Sequence, residues 1–269
     1  MKYNGELKVI DTPEKAYLLG QIYGDGYNGE NNHSYKVSVS SNNGDIEVYK
    51  RLVNLFPFFT LKTSYKSHPN MIYLENHEKA LYLDLKRHGM ISNKTIYDKS
   101  GEFHFPNLRK DLISHFIRGY FDADGSFWYP KRYRSRNNLR TEFGCSTKNF
   151  LLVLNKHLED NKINFTYTER SKKASNDKYY MSYNLLSSNR EESLKFADFI
   201  YKDASIYLEY KKQKAYRPLI DKESFICPYC NSNHIKKNGT RNNKYRLFCK
   251  DCNKHFSIPM PTQEVTLDE

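Results

Sequence analysis

The chain has 269 residues, of which 43 are Lys or Arg and 31 are Asp or Glu, so its formal net charge is +12. Hydrophobic residues make up 38% of the chain, which is enough for a packed core and argues against a disordered protein. The longest apolar run, near residues 150–154, is far shorter than the ~20 residues that a membrane-spanning helix needs. The N-terminus has no basic start followed by an apolar stretch, so no secretory signal is predicted. We expect a soluble, intracellular protein of one large or two modest domains.

The positive excess predicts an anionic partner, either nucleic acid or the surface of a membrane. Aromatic residues reach 15%, including 23 Tyr and 16 Phe. A sequence rich in Lys, Asn and Tyr can also reflect AT-rich coding, so composition alone does not identify the partner. No amphipathic helix sets a basic face against large apolar residues, which disfavours a membrane surface. The positions of the charges must discriminate between these possibilities.

Two segments of the chain resemble each other, at residues 16–26 and 115–125. Aligned on their final Asp-Gly, they pair Gly20 with Gly119, and Asp25 with Asp124, 99 residues later. An offset of this size corresponds to one compact half-domain. The repeat therefore indicates a pseudo-duplicated unit.

Each repeat is predicted to be a helix that ends at the Gly after its Asp, in the manner of a glycine C-cap. Thr12 is expected to cap the first helix, with Pro13 in its first turn. Alternating apolar and polar residues predict strands within residues 33–40, 61–75, 126–146 and 165–186. Helical patterns lie at residues 45–55, 78–88, 148–159, 191–201 and 205–216.

The predicted fold class is α+β, with two pseudo-symmetric αββαββα halves and a small C-terminal unit. Pro218 marks the boundary between the halves and this unit. The predicted divisions are a first half at 1–105, a second half at 106–217, a linker at 218–224, a cysteine-bearing unit at 225–258 and a tail at 259–269.

Small residues recur four positions apart on both repeated helices. They let two helix backbones approach closely, and a close crossing would bring Asp25 and Asp124 together. Two carboxylates at negative helix ends repel each other unless cations lie between them, and Mg²⁺ prefers such oxygen ligands. Metals held beside a basic surface suit phosphodiester hydrolysis. A tight turn after each helix is the alternative explanation for Asp-Gly, but the duplication in matching register favours a site.

The two repeats resemble the signature helices of the LAGLIDADG homing endonucleases. Gly-Tyr-Phe-Asp-Ala-Asp-Gly at residues 119–125 is very close to the string that names the family, and Leu-Leu-Gly-Gln-Ile-Tyr-Gly-Asp-Gly at residues 18–26 is a common variant. The resemblance covers residues 10–217. It implies a monomeric enzyme in which each half lays a curved antiparallel sheet in the major groove of double-stranded DNA. The signature helices would form the seam between the halves.

The resemblance also implies metal-dependent cleavage of both DNA strands, at a long asymmetric target, with short 3′ overhangs, as in intron homing. Mg²⁺ or Mn²⁺ would support cleavage, and Ca²⁺ would bind without it. Asp25 and Asp124 would be the metal-binding catalytic acids, helped by the backbone carbonyls of Gly24 and Ala123. Asp122 is expected at a helix end without a catalytic role, and Tyr23 stands at the matching position of the first motif. Residues that organise water at the end of the second strand are assigned to Ser41 and Ser146.

A strand that lies on DNA should carry its charges on one face, at every second residue. Arg132, Arg134 and Arg136 do so, with Arg140 nearby. The other candidates for DNA contact on predicted strands are Lys36, Lys62, Lys66, Arg170 and Lys172. Such residues can neutralise phosphates, and Arg can read guanine edges. An ordinary solvated face is the alternative, although such a face usually mixes charges of both signs.

Four of the five cysteines form two Cys-x₂-Cys pairs, Cys227 with Cys230 and Cys249 with Cys252. This spacing predicts a structural, tetrahedral Zn²⁺ site. Disulfides are the alternative, but nothing else in the sequence suggests secretion. The fifth, Cys145, is expected to be a small packed residue.

The segment around the four cysteines resembles zinc ribbons of the transposase-associated type, and its basic charge favours additional DNA contact. The candidate contacts in it are Lys236, Lys237, Arg241, Lys244 and Arg246.

The leading hypothesis is a site-specific DNA endonuclease with an appended zinc ribbon. One alternative is a DNA-binding regulator of the same fold that does not cleave, and another is an RNA maturase that assists the intron encoding it. Relatives of the regulatory kind tend to lack the acids, and both acids are present here, which favours the enzyme.

Overall fold

A computed structural model describes residues 1–63, 68–92, 103–130, 137–173, 179–187, 189–218 and 225–259. The chain divides into two compact units, Met1–Pro218 and Leu219–Glu269. Within the described residues, no helix has both the length and the apolar character needed to cross a membrane.

The first half of the larger unit has the order helix, two strands, helix, two strands, helix. Thr12 caps the first helix, because its Oγ1 accepts a hydrogen bond of 3.3 Å from the N–H of Lys15. A single 3₁₀ turn, Asn43–Asp45, precedes the second helix. The elements are α1 (Pro13–Asp25), β1 (Gly26–Asn31), β2 (Ser34–Asn42), α2 (Ile46–Leu55), β3 (Thr60–Lys62), β4 (Met71–Asn76) and α3 (Lys79–Arg87).

The second half repeats this order and adds one short helix at its end. Its elements are α4 (Lys110–Asp124), β5 (Gly125–Trp128), β6 (Arg140–Cys145), α5 (Lys148–Asp160), β7 (Phe165–Lys173), β8 (Tyr179–Ser187), α6 (Arg190–Tyr201) and α7 (Glu209–Ala215). The predicted α+β fold with repeated αββαββα halves is confirmed.

Each half carries a four-stranded sheet in which all neighbouring strands are antiparallel. The strand orders are β1-β2-β4-β3 and β5-β6-β8-β7. One face of each sheet is apolar and packs into the core, where Val37, Leu74 and Leu185 are fully buried. Because side chains alternate along a strand, polar residues such as Lys36 and Ser38 lie on the opposite face.

The helices α1 and α4 cross with their backbones in contact. A Cβ atom on Gly20 would lie 2.1 Å from the carbonyl oxygen of Phe116, and one on Gly119 would lie 2.0 Å from the carbonyl oxygen of Tyr17. A real Cβ atom does not come this close to another heavy atom, so only glycine fits at either position. The close approach predicted from the spacing of small residues is therefore confirmed.

The ends of α1 and α4 differ from the predicted glycine cap in backbone conformation. Gly26 and Gly125 have φ values of −87° and −91°, so they are extended rather than left-handed, and each begins a strand. A Cβ on Gly26 would lie 2.3 Å from the carbonyl oxygen of Ile22. Glycine is required here because the preceding helical turn leaves no room for a Cβ atom, and not because φ is positive.

Two elements differ from the predicted ranges. The strand β1 was missed, because its sequence Gly-Tyr-Asn-Gly-Glu-Asn does not alternate apolar and polar residues. The signal that could have found it is the two-residue turn of Asn32 and His33, whose φ values of 45° and 63° suit a tight hairpin. The helix predicted over residues 205–216 is shorter and spans only Glu209–Ala215.

The smaller unit contains an antiparallel sheet of three strands, β9 (Ile235–Arg241), β10 (Lys244–Cys249) and β11 (His255–Pro259), in the order β11-β10-β9. Asn242 and Asn243 join the first two strands with φ values of 51° and 56°, again as a tight hairpin turn. Its core is a small cluster of Phe225, Tyr245 and Leu247.

Candidate active site and four-cysteine site

The two predicted catalytic acids are the last residues of the crossing helices. Asp25 ends α1 and Asp124 ends α4, and both side chains are exposed. The residues just before them meet across the seam, because a Cβ on Gly24 would lie 2.3 Å from the Cβ of Ala123. The sequence-predicted juxtaposition of the two helix ends is therefore present in the structure.

A cavity lies at each of these helix ends, and each cavity combines one half's aspartate with the other half's small residue. The cavity at Asp124 has a volume of about 490 Å³ and is lined also by Gly24, Ser126, Glu142 and Asn184. The cavity at Asp25 has a volume of about 250 Å³ and is lined also by Ala123, Ser41, Asp45 and Tyr210. Asp25 therefore shares its cavity with Ala123 of the other half, and Asp124 shares its cavity with Gly24.

Both cavities offer the kind of ligands that a divalent cation needs. Each has an exposed carboxylate and backbone oxygens at a helix end, where the helix dipole is negative. Hard cations such as Mg²⁺ and Mn²⁺ prefer these oxygen donors. The residues present therefore fit a divalent ion at each aspartate.

The residues assigned to water organisation lie at the two cavities. Ser41 lines the cavity at Asp25, and Ser146 lines the cavity at Asp124. The strand registers pair Gly26 with Val39 and Gly125 with Phe143, which equates Ser41 with Cys145 rather than with Ser146. The thiol of Cys145 accepts a hydrogen bond of 3.3 Å from the N–H of Thr147, and burial raises its pKa.

Each cavity also holds a second carboxylate that the sequence analysis missed. Asp45 is 8% exposed and accepts a hydrogen bond from the hydroxyl of Ser41. Its position directly before α2 is typical of a helix N-cap, but its side chain makes no capping hydrogen bond. In the other cavity, Glu142 of β6 lies opposite Ser126 of β5. Each cavity thus contains the aspartate of one helix end, but the second carboxylate is Asp45 in one cavity and Glu142 in the other.

Asp122, which was predicted to be a helix-end residue, lies in the last turn of α4 and is held by hydrogen bonds inside the fold. It is 3% exposed, and burial raises its pKa. Its carboxylate accepts hydrogen bonds from the hydroxyls of Tyr17 at 3.0 Å and Tyr201 at 2.9 Å, and from the N–H of Leu208 at 2.9 Å. Asp122 therefore ties α4 to α1, to α6 and to the segment before α7.

Tyr23, at the matching position of the first motif, packs across the seam. Its ring centroid lies 5.1 Å from the ring centroid of Phe116 and 5.8 Å from that of Phe150. Its hydroxyl donates a hydrogen bond to the carbonyl of His88. The first motif thus has a buried ring, that of Tyr23, where the second has the buried carboxylate of Asp122. The exposed aspartates are the same in both motifs.

Lys211 of α7 is a residue near the site that sequence analysis missed. Its ammonium donates hydrogen bonds to the carbonyls of Phe121 at 2.9 Å, Asp122 at 2.6 Å and Gly125 at 2.7 Å. Burial lowers its pKa, and the charges of nearby acids, including Asp25 and Asp124, oppose that shift. A cation at the C-terminal end of α4 offsets the negative end of the helix dipole. No local sequence signal marks this lysine, because its partners lie almost ninety residues earlier in the chain.

The basic residues predicted on the first sheet are already paired with an acid. Lys36 and Lys62 both form ion pairs with Glu75 of β4, which is 2% exposed, and the Lys36 pair measures 2.7 Å. This face of the first sheet therefore mixes charges of both signs, as an ordinary solvated face does. Lys66 lies outside the described residues.

On the second sheet, Arg170 of β7 lies opposite Ser182 of β8 and is exposed. The side chain of Lys172 lies outside the described part of the structure. Arg140 pairs with Trp128 across β5 and β6 and donates a hydrogen bond of 3.2 Å to the carbonyl of Ser187. The residues of the strongest predicted arginine row lie outside the described part of the chain: Arg132, Arg134 and Arg136.

The four predicted zinc ligands converge in the smaller unit. Their sulfur atoms all lie within 4.8 Å of one another, with 3.5 Å between Cys227 and Cys252 and 3.6 Å between Cys230 and Cys249. A Zn–S bond of about 2.3 Å in a tetrahedron separates the sulfurs by about 3.8 Å, so the four thiols fit one Zn²⁺. Backbone N–H groups of Cys252 and Asp251 lower the pKa of Cys249, whereas the pKa values of Cys230 and Cys252 are raised, in part by the neighbouring thiols.

The five basic candidates of the smaller unit lie on β9 and β10. Lys237 differs from the others, because its ammonium lies over the rings of Phe225 and Tyr245, at 4.1 and 4.2 Å from their centroids. It therefore packs on the core of the unit. The other four are exposed: Lys236, Arg241, Lys244 and Arg246.

Comparison with protein families matches residues 111–201 to the LAGLIDADG-like domain. The matched residues lie in the second half and run from α4 to α6. The first half repeats its order of elements and contributes the helix that crosses α4.

Solved structures similar to this chain include several homing endonucleases. Mesophilic variants of I-DmoI are 16% identical, with 71% of this chain and 97% of that chain covered and a TM-score of 0.45. I-AabMI bound to uncleaved DNA is 15% identical, with 76% and 88% covered and a TM-score of 0.47. I-WcaI bound to its DNA recognition sequence is 13% identical, with 78% and 89% covered and a TM-score of 0.48.

Among characterised proteins, the DNA-directed RNA polymerase 30 kDa polypeptide of fowlpox virus (strain NVSL) is 27% identical over 147 residues. The match covers 47% of this chain and 81% of that polypeptide.

Proposed function

We propose that this protein is a site-specific endonuclease of the homing type that cleaves double-stranded DNA. The observation that carries the proposal is the crossing of α1 and α4, which sets Gly24 against Ala123 and so places Asp25 and Asp124 at adjacent helix ends. The LAGLIDADG-like domain at residues 111–201 and the net charge of +12 support it. Because one chain carries two such sites, a monomer would cleave both DNA strands, one at each site. The product would have short 3′ overhangs.

Divalent cations would be held by this chain's own oxygen atoms. Asp25 with the carbonyl of Ala123 would hold an ion in one cavity, and Asp124 with the carbonyl of Gly24 would hold one in the other. A bound Mg²⁺ or Mn²⁺ supplies activation of water and neutralisation of charge at the leaving oxygen. Ca²⁺ would occupy the same ligands and support DNA binding without cleavage.

The remaining residues of the site position these acids. The two glycine contacts hold α1 against α4, and Lys211 fixes the last turn of α4, from which Asp124 projects. On the second sheet, Arg170 and Lys172 would contact phosphates. The four-cysteine unit would hold structural Zn²⁺ and add DNA contacts beyond the main footprint.

Cleavage of a randomised DNA library with Mg²⁺, followed by sequencing of the cut ends, tests the proposal and defines the target. We expect discrete cut sites on both strands. Asp25→Asn and Asp124→Asn should each abolish double-strand cleavage and keep specific binding, because each removes the charge of one site without changing its shape. Asp11→Asn, an exposed aspartate before the opposite end of α1, is the matched control and should cut normally.

Normal cutting by both active-site variants would refute the assignment of the acids. Specific binding of DNA by the wild type without any cleavage would favour the non-cleaving regulator. Preferential binding of folded intron RNA over duplex DNA would favour the maturase.

A further inference from the structure

The sheet of the four-cysteine unit has one apolar face and one basic face. Tyr245 and Leu247 of β10 point to the apolar side and are buried with Phe225. The residues between and beyond them along β10 therefore share the opposite face, because side chains alternate along a strand. These residues are Lys244, Arg246 and Phe248.

The register places an aromatic pair at one end of this basic face. Phe248 lies opposite His255 of β11 and opposite Lys236 of β9. The ring centroids of Phe248 and His255 are 4.8 Å apart, with an interplanar angle of 45°. His255 is exposed and Phe248 is half-buried, so the pair presents ring surface beside an ammonium group.

The other end of the same face is occupied by cations. Arg246 lies opposite Ser257, and Lys244 lies opposite Arg241. Successive outward residues on β10 are about 6.7 Å apart, so Lys244, Arg246 and the aromatic pair form a row along the strand. The one acid among residues 225–259, Asp251, is bonded to Ser232 and His234 and not to this row.

We propose that this face binds single-stranded nucleic acid. An unpaired base would stack on the rings of Phe248 and His255, and the phosphates that follow would contact Arg246 and Lys244, with Lys236 beside the stacked base. A row of cations attracts any polyanion. Stacking on the two rings requires in addition a base with a free face, and the bases of a duplex are already stacked on one another. The proposal refines the DNA contacts proposed for this unit, and it does not depend on cleavage.

The test uses the full-length, zinc-loaded protein carrying Asp25→Asn and Asp124→Asn, so that no probe is cut. Fluorescence anisotropy would measure its affinity for an oligothymidylate of ~15 nucleotides and for the same strand annealed to its complement. In this background, His255→Ala and Phe248→Leu should each weaken binding of the single strand about fivefold or more and change duplex binding by less than about twofold. Phe248→Tyr, which keeps the ring, should retain the affinity for the single strand.

The matched control is Tyr229→Ala. Tyr229 is an equally aromatic residue of the same unit, 57% exposed, but it packs near Phe256 on the other face. It should change neither affinity, and the zinc content of every variant confirms that the unit is folded.

Equal losses for single strand and duplex would show that the rings do not stack bases, and no loss in either ring variant would exclude the face altogether. Both results would overturn this proposal and leave the endonuclease proposal intact. If the rings are needed for binding of the single strand but the wild-type protein cleaves no DNA, the endonuclease proposal is refuted and this proposal stands.

Discussion

The carbonyl oxygen of Tyr17 lies 2.0 Å from the position that a Cβ atom on Gly119 would occupy. This contact and its counterpart at Gly20 set the distance between α1 and α4, and through that distance the separation of the two aspartates. Gly119→Ala would force backbone against side chain at the centre of the molecule. We expect a loss of about 3 kcal/mol of unfolding free energy, or failure to fold, measured by urea unfolding.

Gly44→Ala is the control for that substitution, because nothing lies within 4 Å of a Cβ at Gly44. It should leave stability within about 0.5 kcal/mol of the wild type. If Gly119→Ala were equally harmless, the close crossing of the two helices would be wrong.

Lys211→Met should destabilise the protein, because it removes the ammonium from three buried carbonyl oxygens at the end of α4. Leaving such groups without a donor should cost about 3 kcal/mol. Thermal unfolding would measure the change. Lys214→Met, an exposed lysine on the same helix, should leave the melting temperature almost unchanged, and a similar loss in both variants would contradict the role of Lys211.

Acidification should destabilise the protein through His115. The Nδ1 atom of His115 lies 2.7 Å from a guanidinium nitrogen of Arg118, so this atom must accept a hydrogen bond and the ring must be neutral. Burial, with the charge of Arg118 adding to it, lowers the pKa of His115 below its ordinary value of 6.5. The unfolded chain therefore takes up the proton first, and stability falls as pH decreases from about 6.5 to the lowered pKa.

Melting temperatures at about pH 7.5 and about pH 5 would measure this effect in the wild type and in His115→Gln. The variant should lose less stability on acidification than the wild type, because glutamine can accept the same hydrogen bond and does not titrate. His33→Asn, at an exposed position in a turn that tolerates asparagine, should show the wild-type dependence. Identical pH dependence in all proteins would exclude His115 as the source.

Metal analysis should find about one zinc per chain. Cys249→Ser should reduce the zinc content sharply, since it removes one of four converging thiols. Cys145→Ser should keep the zinc, because Cys145 lies in the larger unit beside Asp124. Thiol titration that finds two disulfides in the native protein would reject the zinc site.

The sequence alone determined the features that arise from local pattern or from exact repetition. The doubled motif was sufficient to identify the crossing helices, and paired cysteine spacings were sufficient to identify a four-thiol site. Most strands and helices were also predictable, because alternation and helical periodicity are local properties of the chain. The strand β1 escaped because it is polar and glycine-containing, and hairpin pairing rather than its own pattern stabilises it.

Only the tertiary structure decided which polar residues serve the fold and which remain exposed at the site. Asp122 and Asp124 are two residues apart, yet the side chain of Asp122 is buried among Tyr17, Tyr201 and Leu208, whereas that of Asp124 is exposed. Lys211 neutralises the end of α4, and Glu75 pairs with Lys36 and Lys62, through contacts that packing brings together. Electrostatic and hydrogen-bond energies depend on distance in space, and distances between residues far apart in the chain arise only when the chain folds.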